Sequence, residues 1–101
     1  MIDVLDSAIG RPKPIIELFL RIGPDDLAAI RDAATAPELQ RAAHKLKGSA
    51  SILGMRRLAA ACREIDDLAQ AVELEKARAL FDGLTRDFDA TCEALRAELA
   101  T

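Results

Sequence analysis

The sequence predicts an all-α protein, an up-and-down antiparallel four-helix bundle with a short additional N-terminal helix, as a single domain over residues 1–101. Three observations predict it. The 101 residues include 20 Ala and 14 Leu but only two Val and no Trp or Tyr, a mix that favours helix over sheet. Leu74, Phe81, Phe88 and Leu95 recur every seven residues, with Ala77, Leu84 and Thr91 between them, as along a bundle seam. Finally, the helix boundaries leave only short loops, which make successive helices antiparallel neighbours.

Each element has its own signals. Residues before Arg11 read as a short turn or a frayed helical stretch. Pro12 and Pro14 suit a helix start better than a proline-rich ligand, and the first helix runs to about Ile22, stopping at Gly23-Pro24. This short helix serves as a lid. Asp25 and Asp26 place negative charge at the start of a second helix, which extends to about Ala34. Thr35-Ala36-Pro37-Glu38 has the spacing of a capping box and opens a third helix that ends at Gly54, a natural left-handed cap. A fourth runs from about Met55 to Ala71, with Leu58, Ala61, Cys62, Ile65 and Ala69 on its inner face. The last begins near Val72 and reaches Leu99.

Composition excludes several functions. A formal net charge of −3 and only three aromatic residues argue against nucleic acid. No apolar run approaches the roughly 20 residues that cross a bilayer, and Met1 to Asp6 lacks the start of a signal peptide. Cys62 and Cys92 read as buried reduced thiols. One histidine and two distant cysteines do not make a metal site. The expectation is a cytoplasmic monomer with no cofactor of its own.

His44 is the sole histidine. At about 100° per residue, Leu39, Ala42, Ala43, Leu46, Ala50 and Leu53 share one face of its helix, and His44 points almost directly away from them. A histidine satisfied within the core is thereby excluded. Neutral imidazole is a competent nucleophile toward phosphorus, and such transfer needs positioning and charge neutralisation more than further covalent chemistry. Lys47, three residues on, lies on the same side and can offer an ammonium to phosphoryl oxygens. Arg41 and Lys45 add positive potential, although the lysines could equally be a solvated face. Gly48 either removes a side chain beside the ring, so that something can come close, or serves close helix packing. Glycine there costs about 1 kcal/mol relative to alanine.

His44-Lys45-Leu46-Lys47-Gly48-Ser49-Ala50, followed by Leu53-Gly54, Leu58, Cys62 and Asp66, resembles the histidine-containing phosphotransfer (HPt) domain of bacterial and fungal phosphorelays. The match is strongest from Ala42 to Asp66. The resemblance implies that His44 takes a phosphoryl group from the aspartate of one response-regulator receiver domain and gives it to another. It also implies that Lys47 contacts that group and that Gly48 admits the receiver loop. The protein would be a phosphocarrier and not an enzyme, loaded through a hybrid or separate histidine kinase. The divalent metal would belong to the receiver. Family members often carry Glu or Gln where this chain has Asp66, to hydrogen-bond the ring. A hairpin turning at Gly54 brings Asp66 to the height of His44, and both solvation and orientation of the ring stay open for this shorter side chain.

Two other readings compete: the phosphate-accepting domain of a chemotaxis-type histidine kinase, and an adaptor that binds receivers without carrying phosphate. A kinase dimerisation domain fits poorly, since Lys45 follows His44 and no proline occurs after Pro37. The run Ile15-Ile16-Glu17-Leu18-Phe19-Leu20-Arg21-Ile22 is apolar on more of its circumference than one buried stripe needs. It predicts an exposed apolar patch beside His44 that includes Ile15, Ile16 or Phe19, and the resemblance implies that a receiver docks on this patch, with Arg41 also in contact and Lys45 and Lys47 orienting it from the rim. The alternative is that this helix is buried on both sides or covered by Met1 to Gly10.

Overall fold

The structure, a computed structural model, describes residues 11–101. The expected turn or frayed helix before Arg11 lies outside the described residues. Five helices follow in order: α1 (Lys13–Asp32), α2 (Ala36–Ile52), α3 (Arg56–Gln70), α4 (Leu74–Ala79) and α5 (Phe81–Leu99). α1 packs on α2 and α5, and α3 packs on α2, α4 and α5. Since α4 and α5 continue through Leu80, the ring is a four-helix bundle, and the described residues share one hydrophobic core.

The start of α1 corrects one expectation. No separate lid helix ends at Gly23-Pro24; the two helices expected there form one, with exposed Pro24 in its interior. Proline in mid-helix removes a backbone hydrogen bond and costs about 3 kcal/mol. The helix survives because Ile16, Phe19, Gly23, Asp26 and Ile30 form a single buried stripe, at spacings of three and four, that spans the proline. Gly23 is packed too closely to be a stop: a Cβ there would lie 3.0 Å from Phe88 Cζ. The ring of Phe88 in turn stands 5.8 Å, centroid to centroid, from that of Phe19.

The remaining boundaries follow local chemistry. Thr35 and Glu38 form the expected capping box, with Glu38 N–H donating to Thr35 Oγ1 at 3.3 Å and Thr35 N–H to Glu38 Oε1 at 3.1 Å. Gly54 closes α2 at φ +75°, where a side chain would be strained. Leu39, Ala43, Leu46, Ala50 and Leu53 are buried as expected, while Ala42 and Ala61 are half-buried. α3 ends at Gln70, so Val72 sits in a turn at φ +57° and does not begin the last helix. On the seam, Ala77, Leu84, Phe88, Thr91 and Leu95 are buried, and the Thr91 hydroxyl donates to the Asp87 carbonyl at 2.7 Å.

Arg11 ties one end of the bundle. Its guanidinium donates to the Leu53 carbonyl at 2.6 Å and to Glu98 at 2.8 Å, joining the start of α1 to the ends of α2 and α5. That closure fixes α1 against α2, the pairing on which the histidine face depends.

Candidate functional site

α2 presents His44 outward, as its inner face requires: the side chain is 73% exposed. Its Nδ1 lies 3.7 Å from Oδ2 of Asp66 on α3. This is electrostatic contact, since a hydrogen bond needs about 3.2 Å or less. Asp66 is buried, and its other carboxylate oxygen has no partner among the described residues. The hairpin at Gly54 therefore does bring the two to one height, and Asp66 is not merely solvated.

The α2–α3 hairpin runs in register, so three residues forward on α2 match three residues back on α3. His44 faces Asp66, and Lys47 and Arg63 stand about one turn nearer Gly54 on their own helices. All four, with Arg41 and Asp67, border one open cleft of about 480 Å³. Lys47 also passes close to Cys62. Burial pushes the Cys62 thiol up to about 12, and the Lys47 charge acts against that shift. Cys62 and Cys92 are both free and buried, as expected of inert thiols. Gly48 is exposed, and a Cβ built there meets nothing within 4 Å. Close helix packing is thus not what the glycine serves.

On the other flank of α2 stands Asp26, a carboxylate that the sequence reading placed at a helix start and that lies instead inside α1. Asp26 of α1 is buried, and its Oδ1 receives the ammonium of Lys45 at 3.1 Å, while Oδ2 has no partner among the described residues. Lys45 therefore links α1 to α2 as well as lending charge to the His44 surface. Asp26 was legible in one respect, because it continues the spacing of Ile16, Phe19 and Gly23 onto the inner face.

Residues expected at the apolar patch separate. Ile15 is 39% exposed, but Ile16 and Phe19 are core residues, at 0% and 3%. The reason is phase: Ile16 and Phe19 belong to the stripe that α1 buries, and Ile15, Leu18 and Ile22 form a second stripe beside it. With Ser49 and Ile52 of α2, that second stripe lines a shallow groove of about 100 Å³. Leu18 and Ile52, at 44% and 77% exposed, were missed; an isoleucine off the inner face of α2 was the available signal.

No helix among the described residues is long and apolar enough to cross a membrane, and no described trio of His, Cys, Asp or Glu is arranged to hold a metal ion.

Fold and site together define a class: a helical bundle built to present one histidine at mid-helix, with cations beside it. The family model described as the Hpt domain matches residues 14–99, and the chain belongs to that family. Hpt domains act as histidine phosphotransfer carriers in two-component systems, interact with receiver domains and kinases, and have no kinase activity of their own. No curated protein and no solved structure matches the chain significantly.

Proposed function

We propose that His44 is the phosphoryl carrier, loaded from the aspartyl phosphate of one receiver domain and discharged to the aspartate of another. The observation that carries this reading is the position of the sole histidine, 73% exposed and lining a cleft shared with Arg41, Lys47 and Arg63. With Nδ1 turned toward Asp66, Nε2 faces outward with its lone pair free. Nε2 attacks phosphorus, the N–P bond forms, and the P–O bond to the donor aspartate breaks. The Asp66 carboxylate stabilises the positive charge that develops on the ring. Lys47 neutralises phosphoryl charge, and the open space at Gly48 receives the partner's loop.

Ile15, Leu18 and Ile52 provide the apolar docking surface, with Arg41 and Lys45 orienting the receiver at its edge. The interface in this reading is small and transient, its affinity apolar and its orientation electrostatic. In this reading the protein works as a cytoplasmic monomer, and the divalent metal belongs to the receiver.

Incubation with phosphorylated receiver domains tests the proposal. The native protein should acquire an acid-labile, base-stable phosphoryl group, and His44→Gln should abolish it while leaving the melting temperature within about 2 °C, since the side chain is exposed. Persistent labelling of the glutamine variant would sink the reading. Receiver binding without labelling of the native protein would favour the adaptor.

A further inference from the structure

The basic residues of the α2–α3 hairpin divide by what they touch. Lys45 is held by Asp26 at 3.1 Å, and Arg57 by Asp87 at 3.3 Å. Arg41, Lys47 and Arg63 make no ion pair with any described residue, and all three border the His44 cleft. Arg63 passes over the local partner available to it: Asp67, four residues on along the same helix, borders the same cleft, yet no carboxylate oxygen of a described residue lies within 4 Å of the guanidinium.

Lys47 on α2 and Arg63 on α3 each stand about one turn from the His44–Asp66 level, and both border the cleft that His44 lines. Packed helices stand about 8–10 Å apart, a gap that long arginine and lysine side chains span. Two like charges thus share one cleft with an outward imidazole, in a protein whose formal net charge is −3. Such a pair gains most when an anion lies between its members. The carboxylate nearest the ring, Asp66, is buried and turned to Nδ1, and Asp67 is the one exposed acid at the cleft.

We infer that Arg63 is a second phosphoryl-contacting residue, holding the oxygens of phosphorylated His44 against Lys47 across the α2–α3 cleft. The inference rests on His44 being the carrier. The two cations have different tasks. Lys47 is a compact charge on the histidine's own helix, whereas the guanidinium of Arg63 is a planar fork that takes two phosphoryl oxygens at once. Because they stand on different helices, their grip also depends on the packing of α2 on α3.

Phosphoramidate tests this without a receiver: its phosphoryl group passes to the His44 nitrogen as the P–N bond of the donor breaks and ammonia leaves. The ³¹P signal of the adduct is then titrated between its monoanion and dianion. Arg63→Gln should raise the phosphoryl pKa by roughly 0.5–1 unit, because a cation within about 6 Å favours the dianion, and Arg63→Lys should restore most of the shift. Arg86→Gln, which removes the same charge from α5, controls for net charge and should titrate like the native protein. If Arg63→Gln titrates with the Arg86→Gln control, Arg63 does not touch the phosphoryl group and the inference falls. Failure of the native protein to take any phosphoryl group on His44 would be a different result, removing the carrier reading itself and this inference with it.

Discussion

A buried carboxylate lies on each side of the helix that carries His44, and the two are used differently. On the α1–α2 side, Asp26 is closed by the Lys45 ammonium at 3.1 Å. On the α2–α3 side, Asp66 faces the His44 ring at 3.7 Å, outside hydrogen-bonding distance, and the cations of the cleft make no ion pair with a described residue. Burial is the same, with both residues 5% exposed, and each keeps one oxygen without a partner among the described residues. The partner makes the difference. A permanent cation fixes one seam as structure, while an imidazole leaves the other free to respond to a charge placed on the ring.

Breaking each pair in turn should show the contrast, with the largest effect on the closed side. Lys45→Ala strands the Asp26 carboxylate and should lower unfolding stability by about 1–3 kcal/mol, because a buried charge loses its ammonium. Asp66→Asn should change stability by less than about 1 kcal/mol, since a neutral isostere relieves an open, partly unsatisfied charge, yet should slow phosphoryl loading. Urea unfolding of both variants, beside single-turnover transfer, makes the comparison. Equal losses of stability would mean that the two seams do not differ.

Cys62 sharpens the account of the open seam, because it lies beneath Lys47 in the dry part of the α2–α3 contact. Its thiol goes from 9.0 to about 12 on folding, so its contribution to stability is present below pH 9 and is lost as pH rises toward 12. The native protein should therefore lose about 1.4 kcal/mol per pH unit in that window relative to Cys62→Ala. Parallel pH profiles of the two proteins would show that the thiol is not desolvated as the packing implies.

The smallest effect on folding belongs to the exposed face. Gly48→Gln should keep the bundle or stabilise it by up to about 1 kcal/mol, since glutamine is the better helix former and a Cβ there meets nothing within 4 Å. Receiver binding, followed by calorimetry, should nevertheless be lost. Native affinity in this variant would show that partners approach His44 from another direction.

Much of this was readable in the chain because it depends on one element at a time. Helical periodicity needs only the inner face of α2 to send His44 outward, and a capping box is complete within four residues. Lys47 is placed by the same helix. Arg63 had no such route: nothing within α3 marks it, and its relation to Lys47 exists only once two helices pair in register. The fate of Pro24 likewise could not be settled by propensity, because the packing of Phe19 and Phe88 around Gly23 outweighs the proline.

By itself, then, the sequence determined the helical class, most helix boundaries, the outward histidine and the motif of its family, all consequences of backbone geometry and local hydrogen bonding. The tertiary structure decided what depends on neighbours distant in the chain. It fused the first two expected helices into α1, and it sent Ile16 and Phe19 into the core while leaving Ile15 outside. It also gave Asp26 to Lys45 and brought Arg63 and Lys47 to one cleft. A helix carries its own angular pattern, but which of two adjacent apolar stripes is buried, and which charges meet, is fixed only by the surface it packs against.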